Sequence, residues 1–256
     1  MHRTGDPQVV LRPGVLRTTY PPYESLPYDV LAPLVAEAKT HTRLKNLTGL
    51  LDVVTRAAEH HVTPDYWAFG GVFQSRYQVD NLYALAHDVT GEREEGDAPA
   101  VACDIGLNAG HSAAIWLYAG FAPVYSFDLL ALPHSATAVE LLNNAFPGAL
   151  VTYRGNTWDT LPEFIDSGKD ECDLTMVDGS HTGKYPSHDV NSAIAMSRSF
   201  GLIIADDVTH GWPWVHAAWI WAVDNGLLAK DDCREDHLRL FNRTVRKRWC
   251  WGYANH

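Results

Sequence analysis

From residue 98 onward, short apolar runs alternate with stretches of helical spacing. The runs Ala100–Ile105, Pro123–Phe127, Ala149–Tyr153, Cys172–Val177 and Leu202–Ala205 each read as a strand followed by a helix. That alternation is the pattern of βαβ units and a mostly parallel sheet. Near the end, Leu238–Phe241 and Arg248–Tyr253 read as two strands on a short connection through Asn242-Arg243, a hairpin that closes the sheet edge. The first 90 residues differ. They are irregular and broken by Pro21, Pro22, Pro27 and Pro33, and then turn helical. Leu47, Leu50, Leu51, Val54 and Ala58 share one helical face, and Leu82, Leu85 and Ala86 share another within Val79–Val89. Between these helices, residues 66–73 form an aromatic, glycine-broken loop, and Gly91–Asp97 reads as a solvated linker. The expected division is a helical lid or oligomer contact over 1–97 and an α/β domain over 98–256.

Charge narrows the partners. Twenty basic against 31 acidic residues give a net charge of −11 over 256 residues, which disfavours a nucleic-acid partner because such binding needs a basic surface. No run of 18 apolar residues suggests a membrane span, and Met1–Asp6 leads into polar residues rather than the apolar core of a signal peptide. Cys103, Cys172, Cys233 and Cys250 form no CxxC pair; two lie in strand-like runs and read as buried free thiols. A reducing, cytoplasmic compartment is the expectation.

The first strand–helix junction carries the first chemistry. In Asp104-Ile105-Gly106-Leu107-Asn108-Ala109-Gly110-His111-Ser112, glycines allow a tight turn and close ligand approach before a helix. The dinucleotide fingerprint would need glycine at 108 and 111, where Asn108 and His111 stand, so a plain NAD site fits poorly. Asp128 ends the second strand, 22 residues after Gly106, where an acid can accept both hydroxyl protons of a ribose. Asn156 and Trp158 follow the third strand. The fourth strand ends in Asp178-Gly179-Ser180-His181, and the fifth in Asp206-Asp207. Adjacent parallel strands would bring these three carboxylates to one edge, where a hard cation such as Mg²⁺ would offset their repulsion.

The spacing D-x-G-x-N-x-G resembles motif I of class I S-adenosylmethionine (SAM) dependent methyltransferases. Residues from about 100 to 225 look like the metal-dependent small-molecule O-methyltransferases, especially the macrocin O-methyltransferase and cephalosporin-hydroxylase-like group, with catechol O-methyltransferase a more distant relative. Asp178-Gly179-Ser180-His181 resembles the group's D-G-x-H, and Gly201–Asp207 its G-G-x-x-x-x-D-D, with Phe200 replacing the first glycine. The resemblance implies a Rossmann-like, seven-stranded, mostly parallel sheet with an antiparallel last strand and helices on both faces. It implies SAM held by Asp104, Gly106, Asn108, Gly110, Ser112, Asp128, Asn156, Trp158 and Asp178, with Gln74 in a segment similar to the one that covers the methionine end. Asp178, Asp206 and Asp207 would carry the metal. His181 stands where the catechol enzymes place a catalytic lysine and would take the acceptor's proton, with His210 as the rival base. The acceptor would be the hydroxyl of a small molecule (a catechol, a sugar or a secondary-metabolite scaffold), and the assembly a homo-oligomer. The rival readings are a metal-independent N- or C-methyltransferase and a catalytically silent binding or scaffold protein.

Overall fold

The structure, a computed structural model, describes residues 25–61, 75–94, 96–240 and 243–255. Five parallel strands form where the apolar runs predict them: β1 (Ala102–Ile105), β2 (Val124–Asp128), β3 (Leu150–Arg154), β4 (Cys172–Val177) and β5 (Ser197–Ala205). Strands covered on both faces need continuous apolar runs, and β1 and β4 are buried at every position. The hairpin strands β6 (Leu228–Leu240) and β7 (Arg243–Ala254) complete a seven-stranded sheet of order β3-β2-β1-β4-β5-β7-β6. β7 inserts antiparallel between β5 and β6, with Ala205 opposite Cys250 and Leu202 opposite Tyr253. The hairpin is far longer than expected because Lys230–His237 are polar except for Cys233 and carry no apolar alternation.

Alternate residues of each strand feed two cores. On one face Ala102, Val124, Leu174, Met176, Ile204 and Trp249 pack with α4 (His111–Ala119) and α5 (Pro133–Ala145). The helices α1 (Tyr28–Arg43), α2 (Leu47–Glu59) and α3 (Arg76–Gly91) share that core through Leu31, Leu34, Leu50, Val53 and Leu82. On the other face Ile105, Phe127, Val177, Ile203 and Ala205 meet α6 (Thr157–Ser167), α7 (Tyr185–Met196) and α8 (Pro213–Asp224). The helix α1 corrects the reading of an irregular start: it begins after Pro27 and continues through Pro33, burying Leu31, Leu34 and Ala38. Its partner α2 is capped by Asn46, whose Oδ1 accepts from the Gly49 N–H at 3.0 Å. Arg93, after α3, donates to the Ala98 carbonyl at 2.9 Å and to Asp173 at 2.6 Å.

The free-thiol reading is overturned as well. Cys103 on β1 is bonded to Cys172 on the neighbouring β4, and Cys233 on β6 to Cys250 directly opposite on β7. Sequence separations of 69 and 17 residues give no hint of strand adjacency, which brings these sulfurs together. With all four cysteines in disulfides, they do not point to a reducing compartment. Among the described residues, no helix is long and apolar enough to cross a membrane.

Candidate active site

Sheet order reverses direction between β1 and β4, and in open α/β sheets the crevice outside the carboxyl ends of the strands at such a point is where ligands bind. The ladder continues one bond past each strand there. Gly106 N–H donates to the Phe127 carbonyl at 2.9 Å, Asp178 N–H to Ile105 at 2.9 Å and Asp206 N–H to Val177 at 3.1 Å. Register thus sets Gly106, Asp178 and Asp206 along one edge, as the spacing of the motifs requires.

The Gly106–Ser112 turn is organised from beneath. Gly106 (φ +100°), Asn108 (φ +49°) and Gly110 (φ +84°) are all left-handed, and asparagine is among the few side chains that adopt this region readily. Asn108 N–H donates to Asp128 Oδ2 at 3.0 Å, and its Oδ1 lies 2.5 Å from His134 Nε2. Asp128 Oδ1 accepts from the Leu130 N–H at 2.6 Å. Burial raises its pKa against the backbone N–H groups of Asn108, Leu130 and Leu107. A carboxylate is an acceptor of the kind that takes the hydroxyls of a ribose. Asn156 caps α6 by accepting from the Trp158 N–H at 3.0 Å and donates to the Tyr185 hydroxyl at 2.9 Å. Trp158 is half exposed, with its ring stacked 4.0 Å from that of His188. Gln74 lies outside the described residues.

Asp104 is fully buried and accepts from Ser112 Oγ and Trp116 Nε1, both at 3.1 Å, so Asp104 and Ser112 pin α4 to β1. Burial pushes its carboxyl up to about 7, against those two hydrogen bonds. An acid whose pKa is higher folded than unfolded binds more protons in the folded state. It therefore subtracts stability as pH rises from its unfolded value near 4 to about 7. Asp104→Asn removes that titration. Thermal melts of the two proteins are expected to diverge between about pH 4.5 and 7.5, the wild type losing ground on the order of 4 kcal/mol at most; parallel curves would refute the assignment.

The acidic edge is more selective than three equivalent ligands. His181 Nε2 lies 3.2 Å from Asp178 Oδ1 and 3.9 Å from Asp207 Oδ2. Ligand atoms of Asp178, His181 and Asp207 all fall within 4.8 Å of one another, so these three residues fit a metal ion. Asp206 stands apart. Its Oδ1 accepts from Gln78 Nε2 at 2.9 Å and from the Asp207 N–H at 2.8 Å, and its Oδ2 accepts from Lys247 Nζ at 2.8 Å. Lys247 Nζ also donates to Asp207 Oδ1 at 2.8 Å. Asp207 itself holds a left-handed φ of +55°, the kind of backbone strain that collects at functional sites. Burial and the neighbouring Asp206 push the Asp178 carboxyl up to about 6 and raise Asp207 too. Burial pulls His181 down, but Asp178, Asp207 and Asp206 outweigh it and leave the imidazole raised. Lys247 is raised in the same way, with Asp206 and Asp207 overcoming burial.

The sequence reading missed Gln78 and Lys247. Both were legible: Gln78 shares a helical stripe with buried Leu82 and Ala86, and Lys247 alternates onto one face with buried Trp249 and Trp251. His210, the rival base, is exposed with its ring 4.4 Å from that of His216. Trp212 sets its ring 4.8 Å from that of His181, while Trp219 is a core residue.

A sheet of this order, with its glycine turn and acidic edge at the switch point, is the fold of class I methyltransferases. Residues 103–208 match the family model described as a methyltransferase domain. Among solved structures it is similar to an O-methyltransferase from Bacillus cereus in complex with SAH (TM-score 0.60, 13% identity, covering 80% of this chain and 90% of that one). It is similar also to the O-methyltransferase TomG from Streptomyces achromogenes, involved in tomaymycin synthesis and bound to SAM (TM-score 0.56, 16% identity, 79% and 89%). The cofactor-bound Rv0187 of MTB covers 91% of this chain and 99% of its own (TM-score 0.57, 17% identity). No curated relative matches the sequence.

Proposed function

We propose that this protein transfers a methyl group from SAM to a hydroxyl of a small-molecule acceptor with the help of a divalent cation. The observation that carries the reading is one crevice holding two chemistries. Asp128 presents an acceptor carboxylate at the end of β2, and Asp178, His181 and Asp207 converge at the ends of β4 and β5. SAM supplies an electrophilic methyl on a sulfonium, so the protein's task is mainly alignment of an in-line displacement. A bound divalent cation supplies the charge that lets an acceptor hydroxyl lose its proton near neutral pH.

The residues divide the work by position. Asp128 takes the ribose, the left-handed turn at Asn108 brings backbone close to the cofactor, and Asn156 and Trp158 stand on the adenine side. Asp178, Asp207 and His181 hold the cation. Trp212, packed on the His181 ring, and exposed Trp214 wall a flat aromatic or sugar-like acceptor. The described helices α1–α3 cover the same side of the sheet as α4, which suits a cover for the crevice and a surface for self-association.

Metal-free transfer to nitrogen or carbon is the second reading, favoured by one observation: Lys247 already places a cation between Asp206 and Asp207. Calorimetry of SAM binding, with and without Mg²⁺, Mn²⁺ and chelator, separates the two. Wild type is expected to bind SAM and metal, and Asp178→Ala to keep SAM while losing metal. SAM binding without any metal site selects the metal-free transferase, and absence of SAM binding overturns the methyltransferase reading.

A further inference from the structure

Among the described residues at the acidic edge, three carboxylates face one buried ammonium, which leaves two formal negative charges, the charge of one divalent cation. The ammonium is not shared evenly. Asp206 is 2% exposed, and each of its oxygens already accepts a hydrogen bond, from Gln78 and Asp207 N–H on one side and from Lys247 on the other. Any cation that reached Asp206 Oδ2 would stand against the Lys247 Nζ, 2.8 Å from that oxygen, and like charges at such range repel strongly in a buried site. Asp207 is split: Oδ1 serves Lys247, while Oδ2 faces the His181 imidazole. Lys247 cannot swing aside cheaply. Its side chain is 7% exposed, and the strand that carries it is fixed to the loop after β5 by the Val208 N–H donating to the Arg248 carbonyl at 2.9 Å.

Resting on the methyltransferase reading above, we infer that Lys247 is a built-in counter-ion that keeps Asp206 out of the metal's coordination shell. The cation is then held by Asp178, Asp207 and the His181 imidazole. The consequence is selectivity. Mg²⁺ demands oxygen ligands in near-ideal octahedral geometry, whereas an imidazole in the set suits divalent transition ions. This site therefore takes Mn²⁺ or Co²⁺ in preference to Mg²⁺, and Lys247 is a positioning residue that sets the choice.

The test titrates the full chain with Mn²⁺, Co²⁺ and Mg²⁺ alone by calorimetry, follows the visible spectrum of bound Co²⁺, and monitors SAM binding and thermal melting in parallel. Wild type is expected to bind Mn²⁺ and Co²⁺ about tenfold or more tightly than Mg²⁺. Asp206→Asn should bind Mn²⁺ within about threefold of wild type, while Asp178→Asn and Asp207→Asn weaken it about tenfold or more. His181→Gln should erase the preference over Mg²⁺ and alter the Co²⁺ bands. Lys247→Met, where it folds, should gain Mg²⁺ affinity as Asp206 is released; the Asp206 and His181 variants decide the matter where it does not. The inference is overturned if Asp206→Asn loses metal as fully as Asp178→Asn, if Mg²⁺ binds as tightly as Mn²⁺, or if wild type binds none of the three ions. Retained SAM binding in those cases confines the failure to the metal set, whereas loss of SAM binding in the wild type removes the functional reading itself.

Discussion

Gly106→Ala is expected to destabilise the fold severely. A Cβ at this position would stand 2.2 Å from the Asp178 carbonyl oxygen and 2.7 Å from its carbon, at a φ of +100° that side chains avoid. The atoms in the way are backbone, and the Asp178 N–H donating to the Ile105 carbonyl at 2.9 Å holds that backbone in place. Relief means parting β1 from β4, two strands buried at every position. A loss above roughly 4 kcal/mol follows, in the range reserved for severe local conflicts, against a total stability on the order of 5–15 kcal/mol. Gly120→Ala is the control: it has the same φ of +100°, but nothing lies within 4 Å of its Cβ. It should cost only about 1–2 kcal/mol. Urea unfolding of the two variants side by side measures the difference; equal, small losses would mean that the edge yields.

Asp128→Ala is expected to weaken SAM binding by about two orders of magnitude or more. Hydrogen bonds to a charged group contribute about 1.5–3 kcal/mol each, and two ribose hydroxyls on one carboxylate would bring about 3–6 kcal/mol, or roughly 10²–10⁴ in Kd. The same carboxylate also accepts the backbone N–H groups of Asn108 and Leu130, so alanine frees the turn as well as removing the contact. Asp128→Asn keeps one acceptor oxygen and should fall between alanine and wild type. Metal binding at Asp178, His181 and Asp207 should survive both changes. Calorimetry with SAM checks the ranking, and wild-type affinity in Asp128→Ala would place the ribose elsewhere.

The parts of this fold that could be read from sequence share a physical cause. Parallel strands covered on both faces need mainly apolar runs, and β1 to β5 each carry one; the acids at the strand ends then mark the crevice. Strand order and register follow from no local pattern, which is why the pairing of Cys103 with Cys172 across β1 and β4 was invisible. Proline hid α1, because Pro27 and Pro33 punctuate a segment whose buried stripe is short. The hairpin was seen only at its tip and base, since β6 runs through Lys230, Asp231, Asp232, Arg234, Glu235 and Asp236, where exposure leaves no period to detect. Lys247 was lost in a basic run, Arg246-Lys247-Arg248, that reads as a solvated face until alternation with Trp249 and Trp251 is noticed. The acids could be placed individually; the way they are shared between Lys247 and His181 could not.

The insertion of β7 between β5 and β6 has a consequence for biosynthesis. The strand that supplies Lys247 is translated after every other strand of the sheet, yet it sits inside the sheet and not at its rim. Until it arrives, β5 is an open edge and Asp206 and Asp207 lack their ammonium. Contacts such as Gln78 to Asp206 and Asn81 to Trp249 join residues 128 and 168 positions apart, and long-range closures of this kind slow folding. A ribosome-bound chain can therefore assemble β1 to β5 with their helices, but its acidic edge stays unneutralised. Because β6 pairs only with β7, one hairpin carries both the remaining sheet contacts and the ammonium of the site.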